Sequence, residues 1–167
     1  MKNIFTTLLL AATCLLSACN DDDAPAVKEY LPVTYANIAG TWKLSEWNGE
    51  ATTDDRYCYL VIERKANEET GNRALTMYTN IDSDKSRTIT SVYELEDNIE
   101  MDEDPATAII KGIYDHSAGF WNNDYLISEV DSDRMVWTVT EDADDISVYV
   151  RCEAVPEDIV AGTRAIK

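Results

Sequence analysis

Ile146-Ser147-Val148-Tyr149-Val150-Arg151-Cys152-Glu153 alternates without a break, with Ile146, Val148, Val150 and Cys152 on one side and Ser147, Tyr149 and Arg151 on the other. Side chains of an extended chain point alternately to its two faces, so this stretch is a strand with one set on the core face and the other outward. Working back along the chain, seven more segments of strand formers stand between turn residues: Thr41 to Trp47, Tyr57 to Arg64, Arg73 to Asn80, Arg87 to Leu95, Ala108 to Tyr114, Asp124 to Val130 and Arg134 to Thr140. Asn48-Gly49, Thr70-Gly71-Asn72, Asp131-Ser132-Asp133 and Asp142 to Asp145 fall where hairpins must turn, and Gly, Asn and Asp tolerate the positive φ of tight turns. No long helical period intervenes. The expected fold is all-β, an eight-stranded antiparallel up-and-down β-barrel, with a two-sheet β-sandwich as the alternative.

Residues 37–153 suffice for one core, and no repeat divides them. Ahead of them, Lys2 and the apolar run Ile4 to Leu16 lead to Leu16-Ser17-Ala18-Cys19, the layout of a secretory signal with small residues at the cut. The run is too short to span a bilayer, which takes roughly 20 residues. The Leu-x-Ala-Cys ending resembles the bacterial lipobox, which implies removal of residues 1–18 and acylation of Cys19, for example by palmitate. Two or three acyl chains, at about 0.8 kcal/mol per buried CH₂, hold a small domain on a membrane stably. Residues 19–36, with Asn20-Asp21-Asp22-Asp23 and Pro25, read as an acidic flexible tether. The acidic run resembles the export signal of surface lipoproteins in one Gram-negative phylum, which implies an outer-membrane, cell-surface location; a solvated spacer is the other reading. Residues 154–167 are expected to be a loose or lightly packed C-terminal tail.

The full chain carries 14 basic and 32 acidic residues, a net charge of −18. Cleavage after Ala18 removes Lys2 and no acid, leaving 13 against 32, or −19. This balance argues against nucleic acid as a partner, because phosphate binding rests on Lys and Arg. Of four cysteines, Cys14 leaves with the signal and Cys19 is acylated, so Cys58 and Cys152 remain in an oxidising compartment where a disulfide is permitted. Their spacing does not decide between a bridge and two buried thiols.

The first strand opens Asn37-Ile38-Ala39-Gly40-Thr41-Trp42-Lys43-Leu44, and its Gly-x-Trp resembles the opening motif of the lipocalin and fatty-acid-binding superfamily. Glycine there lets the chain turn tightly into the barrel floor, and the indole plugs the closed end. The resemblance implies a floor built from Gly40 and Trp42, with Arg151 of the last strand packed across the tryptophan. Asn123-Asp124-Tyr125 looks like the lipocalin Thr-Asp-Tyr motif, implying a loop at the closed end. Gly40-Thr41-Trp42 with Tyr114-Asp115-His116-Ser117-Ala118-Gly119-Phe120-Trp121 is more similar to the lipocalin-like domains of bacterial surface lipoproteins. The Arg-x-Tyr pair that grips a carboxylate in fatty-acid-binding proteins is not on the last strand.

Four tryptophans and nine tyrosines supply apolar area with a polar handle, suited to a barrel interior or to cross-strand packing. Trp42, Tyr59, Tyr78, Tyr125 and Trp137 are the candidate ligand-binding residues, with the face of each left open because a one-residue slip exchanges the faces. His116, the only histidine, stands between Asp115 and Ser117, but neighbours on a loop point different ways, so no triad is read there. There is no Cys/His zinc pattern. Asp82-Ser83-Asp84, Asp131-Ser132-Asp133 and Asp142-Ala143-Asp144-Asp145 offer oxygen ligands for structural calcium without matching an EF-hand loop. No other cofactor is expected. The leading expectation is a lipid-anchored barrel that binds a small hydrophobic or amphipathic ligand without catalysis; the alternatives are a filled barrel partnering another envelope protein and, more distantly, a hydrolase.

Overall fold

The computed structural model describes residues 28–53, 55–97, 106–116 and 118–164. Within them the strand formers make ten strands and one short helix: β1 (Gly40–Trp47), β2 (Glu50–Ala51), β3 (Cys58–Ile62), β4 (Arg73–Thr79), β5 (Arg87–Asp97), β6 (Ala108–Tyr114), β7 (Gly119–Phe120), β8 (Tyr125–Ser128), β9 (Arg134–Val139), β10 (Asp142–Cys152) and α1 (Glu157–Val160). Eight of these follow one another around a sheet in the order β1-β3-β4-β5-β6-β8-β9-β10, every pair antiparallel. β10 then returns to β1, from Thr41↔Cys152 to Trp47↔Ser147. The sheet is therefore a closed up-and-down barrel rather than a sandwich, and closure removes the unpaired edges that an open sheet would present.

The two remaining strands are short additions. β2 pairs with the end of β1 across the two-residue Asn48-Gly49 turn, and β7 pairs with the end of β6. The acidic run Asp142 to Asp145 belongs to the start of β10, where the register with β9 shifts between Asp142 and Ile146; it is a bulged strand rather than a loop.

Alternating strand direction gives the barrel two different ends. The end reached by Gly40 carries the β3–β4 and β8–β9 connections, and the end reached by Trp47 carries the β1–β3, β4–β5, β6–β8 and β9–β10 connections. The interior core runs from Ile38 and Trp42 through Leu60, Leu75, Ile110 and Ile127 to Trp137 and Tyr149. On β10 it is Tyr149 that joins this core, while Val150 is partly exposed on the outer side.

Beyond β10 the described residues, to 164, are packed against the barrel. The residues around α1 fold back on the outside of the barrel, where Ile159 is fully buried against Tyr57 and Tyr59, with Tyr78, Cys152 and Val155 packed around them. Arg164 fastens the segment by a two-pronged pair to Asp158, at 2.7 and 2.9 Å.

Candidate functional site: a floor and an aromatic-lined cavity

The closed end is built by Gly40 and Trp42 at the start of β1 and by Arg151 near the end of β10. Trp42 is fully buried and its Nε1 donates to the Ile38 carbonyl at 2.8 Å. The Arg151 guanidinium lies 4.0 Å from the centre of that indole and donates to the carbonyls of Ala39, Asn37 and Ser132 at 2.8, 3.0 and 2.7 Å. A Cβ on Gly40 would stand 2.4 Å from Arg151 Nη1, and Gly40 has φ +131°, so only glycine lets the guanidinium pass. Arg151 thus joins the segment leading into β1, the β8–β9 turn and the tryptophan, and seals this end.

The other half of the interior is not filled. A cavity of about 280 Å³ opens at the Trp47 end. One wall is a run of aromatic rings: Trp121 and Tyr125 are 6.2 Å apart, Trp121 and Trp137 6.5 Å, Tyr125 and Trp137 5.4 Å, and Trp137 and Tyr149 5.5 Å. Trp121 reaches this wall from the β7–β8 connection because β6 carries Gly112 beneath it; a Cβ there would stand 2.1 Å from the indole. Leu44, Leu75, Met77 and Ile89 supply aliphatic lining, and Thr79, Ser91 and Ser147 hydroxyls.

The deep groups are neutral. Burial pushes the Cys58 thiol up to about 11, against hydrogen bonds with Tyr149 and Thr79 that pull it back. Burial likewise holds the Tyr149 phenol well above its ordinary value and, joined by the charge of Asp145, raises that of Tyr125. Among the described residues that line the cavity, charge appears at the mouth. Arg87 pairs with Asp82, and Asp145 accepts a hydrogen bond from Trp47 Nε1 at 2.8 Å.

Of the candidate ligand residues, Tyr125 and Trp137 line the cavity. Trp42 is in the floor instead, and Tyr59 and Tyr78 are a cross-strand pair on the outer face beneath α1. Both were candidates because strand alternation does not say which face is inside. Trp121, Tyr149, Tyr114 and Trp47 are the lining aromatics that the sequence reading did not select. Asn123-Asp124-Tyr125 lies on the side of the barrel away from the floor, where β8 begins; Asp124 pairs on the outer surface with Lys111 at 3.8 Å, which also pairs with Glu96 at 2.7 Å.

Cys58 and Cys152 are not bridged. Cys58 points into the barrel and Cys152 belongs to the outer cluster, so the two thiols lie on opposite faces of the sheet. Cys19 and the signal segment lie outside the described residues, as does Ser117. His116 stands 91% exposed in the turn after β6, 3.6 Å from Asp115. The aspartates considered for calcium serve the fold: Asp131 Oδ1 accepts from the amides of Asp133 and Arg134 at 2.8 and 2.7 Å while Oδ2 pairs with Lys28 at 2.7 Å. Among the described residues no group of three or more His, Cys, Asp or Glu side chains is placed to hold a metal ion. Comparison with known proteins finds no family model, curated protein or solved structure that matches the chain.

Proposed function

We propose that this chain is a lipid-anchored protein of a bacterial envelope whose barrel takes up a small hydrophobic or amphipathic molecule and leaves it chemically unchanged. The observation that carries the reading is the cavity: a closed barrel sealed at one end and, at the other, open and walled by aromatic rings. At about 280 Å³ it lies just under the roughly 300 Å³ at which ligand sites begin. Apolar and aromatic walls with a few polar groups at one end are the usual make-up of such sites. The anchor reading rests on Leu16-Ser17-Ala18-Cys19, and the surface location on Asn20-Asp21-Asp22-Asp23.

The cavity is tested by native mass spectrometry of the full chain from cells grown on rich medium. A co-purifying small molecule is expected, and its readdition to stripped protein should quench tryptophan emission in the wild type but not in Trp137→Ala. A bare mass with an unresponsive spectrum would favour a protein partner. For that second reading one observation speaks: Phe120 is 78% exposed beside its strand partner Ile113, itself 43% exposed. The anchor is tested separately, since Cys19→Ser should move the protein from the membrane to the soluble fraction. Normal membrane recovery of that variant would remove the lipoprotein reading.

A further inference from the structure

The cavity's charge distribution narrows the ligand class, taking the ligand-binding reading above as its premise. Among the described residues three charged side chains line the cavity, Asp82, Arg87 and Asp145. Arg87 is bound to Asp82, and each holds the other in its charged form, so this pair adds no net charge. Asp145 remains. One of its oxygens accepts from Trp47 Nε1, and the other has no hydrogen-bond partner among the described residues.

Further in, Cys58, Tyr125 and Tyr149 are uncharged, and among the described residues no Lys or Arg reaches the depth of the cavity to receive an anion. The wall is instead Trp121, Tyr125, Trp137 and Tyr149, four rings each within 6.5 Å of a neighbour. Ring faces carry negative charge density and attract cations, most strongly where water is excluded. The rim continues the theme. The β9–β10 hairpin brings Glu141, Asp142 and Asp144 to the same end as Asp145, on a chain of net charge −18. Acidic side chains outnumber the basic Arg56, Lys85 and Arg87 at this end, and an excess of one sign draws the opposite charge toward it.

We propose that the molecule taken up is a small organic cation, an ammonium carrying an aromatic or branched apolar group, received by the Asp145 carboxylate and the aromatic wall. A cavity of about 280 Å³, the share of roughly nine liquid waters, admits a single ring with a short ammonium arm and is too small to enclose a long acyl chain in full.

The test is calorimetric titration of the full chain in a nonionic detergent with three probes of one shape: 2-phenylethylammonium, 2-phenylethanol and 3-phenylpropanoate. The ammonium is expected to bind at least tenfold more tightly than the alcohol, with the carboxylate weakest. Asp145→Asn, whose amide oxygen can still accept from Trp47, should bring the ammonium-to-alcohol ratio down by about fivefold or more. Equal binding of ammonium and alcohol, or tightest binding of the carboxylate, would overturn the cation inference and leave the barrel standing as a ligand site. Binding of none of the three would count against both.

Discussion

Arg151 is the residue on which most of the floor converges. Its guanidinium donates to three main-chain carbonyls and covers the Trp42 indole, although the side chain is itself at the surface. Hydrogen bonds from a charged donor are individually stronger than neutral ones, but exposure lowers their net worth. Arg151→Met, which keeps the aliphatic stem, should therefore cost about 2 kcal/mol, read as a lower urea midpoint with unchanged slope. Cys58 gives the interior a pH signature. Its folded-state value of about 11 exceeds the ordinary 9, so the proton is held more tightly in the folded chain. The resulting stability is fully present below pH 9 and is lost as pH rises toward about 11. Tyr93 and Tyr149, raised chiefly by burial, extend the loss above pH 10, the ordinary phenol value. The urea midpoint should stay level up to pH 9 and then fall, and Cys58→Ala should flatten the first part of the decline; a level midpoint to pH 11 in the wild type would contradict the assignment. At this scale the sequence was informative wherever a residue type has one structural use. Gly40, Trp42 and Arg151 stood out through the Gly-x-Trp resemblance, and the structure gives each its physical use: a tight turn, a plug and a cation over an indole.

Strands were harder to read than residues, and β3 shows why. Tyr57, Cys58, Tyr59 and Leu60 are all buried, because the barrel interior covers one face of the strand and the segment around α1 covers the other. Alternation reports a face only when one side meets water. Here both are dry, so Tyr59 and Tyr78 could not be assigned from the pattern. On β10 the pattern points the wrong way: Ser147 and Tyr149 face inward while Val150 is partly exposed. A barrel that keeps a cavity can turn a serine inward without burying an unpaired hydroxyl in a packed core, and tyrosine brings a large ring there. The four-residue α1 is too short to be stable alone and is held by what it covers. Ile159→Ala should accordingly cost about 2 to 4 kcal/mol, measured by urea unfolding, and should expose the Tyr59 phenol to solvent. A loss below about 0.5 kcal/mol, the scale of surface substitutions, would mean the segment is a surface ornament.

Across the whole molecule, the pairing of β1 with β10 makes a container of the sheet, and the sealed floor leaves one way in. That geometry predicts a blocking variant: Ile89→Trp, placing an indole into the cavity from β5, should abolish ligand uptake with only a small change in stability, since the added volume occupies space rather than displacing packed atoms. Ligand titration beside urea unfolding of the same variant checks both halves. The sequence by itself determined that the chain is all-β, that it has eight principal strands, and nearly where each turn falls; the floor residues Gly40, Trp42 and Arg151 came from the resemblance that Gly-x-Trp carries, and closure into a barrel rather than a sandwich from the β10–β1 pairing. The first properties are local: they follow from alternation and from turn residues. Only the tertiary structure decided which face of each strand is inside, that Cys58 and Cys152 lie on opposite sides of the sheet, that the tail is a covering element, and that Trp121, Trp137, Tyr125 and Tyr149 form one wall. These depend on register and closure, which bring together residues from four separate segments and which spacing along the chain does not encode.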